Sequence, residues 1–184
     1  MSTGLAGGRW RTRANALTAL RLAAAPLCAV AIAAGWNDLA LASFGLAVVT
    51  DWIDGRVARR FGETSALGGL FDHATDATFV ALGCGAWALR GELPVVLPFL
   101  ISLAFLQYVF DSRGGAGSSW ALRASWLGRW NGIGYFVAMG VPVVRDGLLL
   151  GWPSSAVCRA VGWVLVVTTL VSMADRFWAS RSRA

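Results

Sequence analysis

Residues 51–76 read DWIDGRVARRFGETSALGGLFDHATD and set four aspartates, Asp51, Asp54, Asp72 and Asp76, in the middle of an otherwise apolar chain. Charged side chains in a hydrocarbon layer cost several kcal/mol apiece unless they face a wet cavity, a partner or a metal, so four together call for a cation. At ~100° per residue on a helix, Asp51, Asp54, Gly55, Ala58 and Arg59 share an arc of roughly 140°, and Gly68, Asp72 and Asp76 share one of about 80°. Each set is one helix face. If the polar link from Phe61 to Ser65 reverses the chain, the two faces oppose each other and all four carboxylates point into one gap. Gly55 and Gly68 leave the same faces without side chains, so a ligand or a second helix can approach the backbone. Oxygen ligands suit hard cations such as Mg²⁺, Mn²⁺ or Ca²⁺, and the absence of a nearby Cys or second His argues against zinc. The rival reading is that the carboxylates only pair with arginines.

Working outward, the chain has 184 residues, of which 57% are hydrophobic, and a mean hydropathy of +0.60. That is too apolar for a soluble domain and long enough for about six membrane spans with short connections. The expected fold is therefore all-α: one polytopic domain over residues 1–184, a bundle of six transmembrane helices behind a short juxtamembrane segment. The formal charge of +6 comes from 16 arginines without a lysine. No basic stripe with interleaved aromatics lies on a soluble face, so the charge points to membrane topology and not to nucleic acid. Cys28, Cys84 and Cys158 sit in apolar runs without metal or disulfide spacing and read as small core residues.

The aspartate stretch resembles the signature of the CDP-alcohol phosphatidyltransferase family, D-x-x-D-G-x-x-A-R, eight residues, then G-x-x-x-D-x-x-x-D. Asp51, Asp54, Gly55, Ala58, Arg59, Gly68, Asp72 and Asp76 occupy its eight specified positions. The resemblance implies transfer of a substituted phosphate from a CDP-linked donor, usually CDP-diacylglycerol, to a small alcohol acceptor, with release of CMP. It implies that Asp51, Asp54, Asp72 and Asp76 hold two divalent cations, Mg²⁺ or Mn²⁺. It further implies that Asp51, Gly55, Ala58, Arg59, Gly68 and Asp72 bind the CDP donor, that Asp76 is the base on the acceptor hydroxyl, and that the protein is a homodimer. His73 follows Asp72 where the phosphatidylglycerophosphate synthase branch has proline. The run Leu70, Phe71, Asp72, His73 is similar to the choline and ethanolamine phosphotransferase branch, so His73 is a second candidate for a catalytic role, with a polar residue at a cavity rim as the alternative.

Residues 1–13 end in Arg9, Trp10, Arg11 and Arg13, which suits an anionic cytoplasmic surface. A cleaved signal peptide is the rival, since an Ala-rich run ends at Ala33 and Ala34. Against it, Arg21 interrupts that run. Asn15, Leu17, Thr18, Arg21 and Pro26 also resemble the N-x-L-T-x-x-R opening of the phosphatidylglycerophosphate and cardiolipin synthase branch. The first helix is expected over about Ala14 to Ala34. The second begins near Leu39, and its uninterrupted apolar run stops at Val49. Eleven residues rise ~16 Å against a hydrocarbon thickness of about 30 Å, so this helix spans only with its aspartate-bearing half. The third helix, apolar from Ala77 to Leu89, is in the same position, which puts the polar site within the membrane profile in a cavity open to one side. Further helices are expected from about Leu93 to Val109, after Trp120–Asn131 to about Val144, and from about Ala156 to Phe177. The Gly-rich link after Arg113 lacks the ending of a phosphate-binding loop and reads as a connector.

Arg9, Arg11, Arg13, Arg56, Arg59, Arg60, Arg113, Arg123, Arg129, Arg176, Arg181 and Arg183 fall at one end of six such spans, against Arg90, Arg145 and Arg159 at the other. The positive-inside rule then places both termini and the site on the cytoplasmic side of the inner membrane. Trp36 and Trp152 belong to the outer aromatic belt, and Trp10, Trp126 and Trp178 to the inner one. Ser125, Gly128 and Arg129 resemble part of an acceptor-side S-x-x-G-K-x-K-T segment, with Arg129 for the first lysine and Asn131 for the second. An acceptor phosphate would be held by Arg113, Arg123 or Arg129, which bind phosphate bidentately, or these are only loop charges. Ser172 and Asp175 are similar to an S-x-x-D-Y ending in which Arg176 replaces the tyrosine. Glycerol 3-phosphate is the expected acceptor, with phosphatidylglycerol or a free alcohol of the choline, ethanolamine or inositol type as alternatives. A membrane cation transporter is the reading from another class, but it expects repeated halves with broken helices, which the sequence lacks.

Overall fold

The computed structural model describes the backbone of residues 13–61, 66–113 and 126–181, and side chains within residues 16–53, 68–110 and 126–178. The described residues form six helices and no strand: α1 (Arg13–Ala34), α2 (Asn37–Phe61), α3 (Ala66–Leu89), α4 (Val96–Arg113), α5 (Trp126–Gly147) and α6 (Ser155–Arg181). Apart from the backbone of Arg13, the expected juxtamembrane segment lies outside them, as does the Gly-rich link. Ala16–Ala34 and Ser155–Trp178 are long and apolar enough to cross a membrane, and Val96–Phe110 is a shorter apolar helix.

The second and third helices run without a break through the aspartate segment on both sides of the link. With 25 and 24 residues, α2 and α3 rise roughly 37 and 36 Å, more than the ~30 Å of a hydrocarbon layer. Their polar and apolar halves are thus single rigid rods, and the site is fixed to the same backbone as the core.

Three helices end at the far side of the bundle in the same way. Gly35 donates its N–H to the Ile32 carbonyl and Trp36 to that of Ala31, at 3.1 and 2.9 Å. Gly91 and Glu92 do the same to Ala88 and Trp87, and Leu149 and Leu150 to Asp146 and Arg145. This double bond needs a left-handed residue after the helix. Gly35 and Gly91 supply it at φ +72° and +75°, where glycine has no steric cost, and Leu149 adopts φ 54°. The chain therefore re-enters α2 two residues after α1 ends.

Beside these turns sits an ion cluster. Arg145 Nη1 donates to Glu92 at 3.1 Å and Arg145 Nε to Asp146 at 2.7 Å, while the Ser155 hydroxyl donates to the other Glu92 oxygen at 2.7 Å. Burial pushes the Glu92 carboxyl up, but the hydrogen bonds from Arg145 and Ser155 outweigh it and hold the group below its ordinary value. Arg145 thereby ties the α3–α4 turn to α5, and Arg159 donates to the Gly91 carbonyl.

Between the two ends the core is built from Ile32, Phe44, Phe79, Trp87, Leu97 and Met139, with Cys28 and Cys84 buried among them and all three cysteines free. Trp87 donates its indole N–H to the Met139 carbonyl at 3.1 Å. Close approach is set by small residues: a Cβ on Gly140 would lie 2.3 Å from Phe44 Cζ, so α2 and α5 fit only with glycine there. Trp36, Trp126, Trp152 and Trp178 are exposed near helix ends, where amphipathic rings suit a membrane interface. Helix α1 packs along both α2 and α3, and this arrangement positions the site.

Candidate active site

Helix α1 carries one charged side chain among its described residues into the bundle, Arg21, and it is only 1% exposed. Its guanidinium faces the aspartate-bearing ends of α2 and α3. Nη2 lies 3.0 Å from Asp51 Oδ1, and Nη1 lies 3.1 Å from Asp72 Oδ1 and 2.5 Å from Asp76 Oδ1. Asp51, Asp72 and Asp76 thus converge on a side chain from α1. The helical spacing explains how: Asp72 and Asp76 are one turn apart on one face, and both reach the same nitrogen.

This pairing is what the arginine-only reading expects, and charge decides how far it goes. One guanidinium faces three carboxylates, and the side chains of Asp51, Asp72 and Asp76 remain 56, 35 and 43% exposed. One arginine therefore does not neutralise the cluster. The residual charge and the accessible carboxylate oxygens fit a divalent cation of the hard, oxygen-seeking kind. Potential ligand atoms of Asp72, His73 and Asp76 lie within 4.8 Å of one another. His73 is exposed, as a rim residue would be, yet it stands nearer to the two aspartates than the ~100° rotation from Asp72 suggested.

Beside the cluster opens a cavity of about 690 Å³, enough for a substantial ligand. Asp51, Asp76, His73 and Arg21 form part of its wall, Arg129 of α5 and Arg176 of α6 another part, and Val80, Ile101, Phe105 and Phe136 give it apolar sides. Tyr108 of α4 links the polar groups: its ring meets His73 edge-on at 5.9 Å and lies 5.6 Å from the Arg176 guanidinium carbon. Asn131 is buried in the same wall, and its Nδ2 has no hydrogen-bond partner among the described residues. Tyr135 and Thr169 share a 2.5 Å hydroxyl contact that fixes α5 against α6 beneath it.

Of the residues singled out in the sequence, Asp51, Asp72, His73 and Asp76 come together, and Arg129 lines the same cavity. Gly68 is half-buried on α3, one turn before Asp72. Asp54, Gly55, Ala58 and Arg59 are carried on α2 and Arg113 on α4, but their side chains lie outside the described residues, as does all of Arg123. The sequence reading noticed Arg21 without assigning it a place in the cluster, although a charge inside an apolar helix was the available signal. Arg176 appeared only as a departure from a motif. Tyr108 gave no signal, because it sits among the aromatic and aliphatic residues of α4.

A sequence model of CDP-alcohol phosphatidyltransferases matches residues 11–174. A Mycobacterium tuberculosis protein named putative cardiolipin synthase is 31% identical over 171 residues, covering 89% of this chain and 78% of the relative. A probable phosphatidylglycerophosphate synthase of the same species is 29% identical over 148 residues, with 73 and 71% of the two chains covered. A Cereibacter sphaeroides CDP-diacylglycerol--glycerol-3-phosphate 3-phosphatidyltransferase is 32% identical over 147 residues, with 73 and 64% covered. No solved structure matches.

Proposed function

The chain belongs to the CDP-alcohol phosphatidyltransferase family, and from that premise we propose that it transfers the phosphatidyl group of CDP-diacylglycerol to glycerol 3-phosphate and releases CMP. The observation that carries the reading is the cavity itself, which has an acidic cluster suited to a cation in one part of its wall and two arginines in another. A pyrophosphate donor needs the first and a phosphorylated acceptor the second. The cation transporter reading is set aside by family membership.

In the reaction, the acceptor hydroxyl oxygen bonds to the phosphatidyl phosphorus while the bond from that phosphorus to the CMP oxygen breaks. CMP leaves with the electron pair, and the hydroxyl proton passes to a carboxylate. Asp76 is proposed as that base, since it faces the cavity together with His73, and His73 is the second candidate. Asp51, Asp54, Asp72 and Asp76 are proposed to hold two divalent ions, Mg²⁺ or Mn²⁺, which would neutralise the pyrophosphate and the charge developing on CMP. Gly55, Ala58, Arg59 and Gly68, with Asp51 and Asp72, are assigned to the CDP donor by the family motif. Arg129 is proposed to hold the acceptor phosphate, with Arg113 and Arg123 as further candidates because a guanidinium binds phosphate bidentately.

All six helices are proposed to cross the cytoplasmic membrane. α2 and α3 do so with their aspartates in a cavity open to the cytoplasm, where the excess of arginines lies. A homodimer is proposed on the family resemblance. Phosphatidylglycerol is the second acceptor reading, favoured by the 31% identity to a protein named putative cardiolipin synthase and by the apolar sides of the cavity.

The test is direct. Purified protein is given radiolabelled CDP-diacylglycerol with Mg²⁺ and, in separate reactions, glycerol 3-phosphate, phosphatidylglycerol, inositol, choline or ethanolamine. Label in phosphatidylglycerophosphate, with release of CMP, is the expected result. Label only in cardiolipin or in the product of a free alcohol overturns the choice of acceptor.

A further inference from the structure

The contacts of Arg21 have a consequence beyond the family's aspartates. Its fork reaches helices that do not otherwise present these carboxylates to a shared partner among the described side chains: Nη2 takes Asp51 of α2, and Nη1 takes Asp72 and Asp76 of α3. Three like charges this close repel one another, and the low-dielectric flank supplied by α1 strengthens the repulsion. A cation must therefore already be present for the cage to be assembled before any ion binds. Arg21 is that cation. It is buried while the carboxylates of Asp51, Asp72 and Asp76 remain 35 to 56% exposed. It holds the carboxylates from α1 while Asp51 and Asp76 still line the cavity beside it.

The same position sets a conflict. Arg21 contacts one oxygen of each aspartate, so its fixed positive charge lies within a few ångströms of any divalent ion that uses those carboxylates, and like charges at such range disfavour each other. We propose that Arg21 and the divalent cation are alternative counter-charges for the same aspartates: Arg21 keeps the ion-free cage assembled and, by its charge, weakens the ion's hold once it binds. The inference rests on the divalent-cation reading above. An arginine suits this task better than a lysine, because its two terminal nitrogens are spread to reach both helices at once, whereas an ammonium is a single point. Arg21 is thus a positioning residue for the cage.

The experiment measures binding of Mn²⁺, by its free-ion spin resonance signal, to the full chain in detergent without substrate, together with unfolding temperature in EDTA and in saturating Mn²⁺. In Arg21→Gln the expected outcome is Mn²⁺ affinity tighter by about tenfold or more, as removal of a nearby unit charge implies. Its unfolding temperature should be lower than wild type in EDTA and should rise more than wild type on adding Mn²⁺. Arg21→Lys keeps the charge and loses the fork, so it should fold, bind Mn²⁺ with an affinity near that of wild type, and show a smaller loss of unfolding temperature in EDTA that Mn²⁺ restores. If Arg21→Gln folds only with Mn²⁺, the ion has replaced the arginine and the inference stands. If it folds under neither condition, Arg21→Lys decides by the same measurements. An Arg21→Gln protein that binds Mn²⁺ no tighter than wild type, or either variant gaining no more stability from Mn²⁺ than wild type, overturns the inference alone. A wild-type protein that binds no Mn²⁺ overturns the cation reading as well.

Discussion

At the scale of single residues, Asp76 and His73 are three positions apart on α3, both touch the cavity, and only one needs to take a proton. Asp76 also contacts Arg21, and it shares a helix face with Asp72, so it can engage both an ion and an acceptor hydroxyl. Asp76→Asn is therefore expected to lose several orders of magnitude in turnover. His73→Ala should lose no more than about 10²-fold, the low end of general acid-base catalysis. Steady-state kcat for the two purified variants checks this, and an equally severe loss in His73→Ala would transfer the base to the imidazole. Arg129 belongs to a different step. If it holds the acceptor phosphate, Arg129→Ala should raise KM for glycerol 3-phosphate at least tenfold while leaving KM for CDP-diacylglycerol near wild type. An unchanged acceptor KM would return Arg129 to the status of a loop charge. The aspartate spacing was legible in the sequence because four-residue steps on a helix are local geometry. The role of Tyr108 was not, since its neighbours His73 and Arg176 lie 35 residues before it and 68 after it.

At the scale of elements, the unbroken α2 and α3 make the site a property of two rods whose far ends are locked. The lock at Glu92 depends on pH in a defined direction. Its carboxyl is held below the ordinary value, so its contribution to stability is complete above the unfolded glutamate value of about 4.3 and is lost as pH falls through the lower folded value. Glu92→Gln should lower the unfolding temperature at pH 7, and the gap from wild type should narrow as pH is taken from 5 toward 3. Thermal melts of both proteins across that range measure it, and a constant gap would remove the ionic contribution. A second expectation concerns the close crossing of α2 and α5. Gly140→Ala places a methyl within 2.3 Å of the Phe44 ring, so it should destabilise by about 1–3 kcal/mol, the usual range for overpacking. Gly45→Ala, where a Cβ meets nothing within 4 Å, is the matched control on α2 and should be close to neutral. Helix existence was evident from the apolar runs, and the ends of α1 and α3 from where those runs stop, at Ala34 and Leu89. The end of α5 was less so, because Leu149 takes the left-handed position that glycine usually marks.

At the scale of the whole molecule, the excess of arginines at one end and the exposed tryptophans at both predict how the bundle sits in a membrane. With the three buried cysteines replaced, a new cysteine at Trp36 or Trp152 should react with an impermeant reagent from outside the cell. One at Trp126 or Trp178 should react only after permeabilisation. Labelling of Trp178→Cys from outside would invert the orientation. The sequence by itself determined the helical class, the apolar character and the two aspartate faces, because hydropathy, helical period and the cost of intramembrane charge all act within a few turns of chain. Only the tertiary structure decided which groups those faces meet. Arg21 lies 30, 51 and 55 positions from its aspartate partners, and Arg129 and Arg176 arrive in the cavity from the last two helices. Such meetings depend on how six rods cross, which is set by contacts like Gly140 against Phe44 and the ion cluster at Glu92, and no local pattern carries that information.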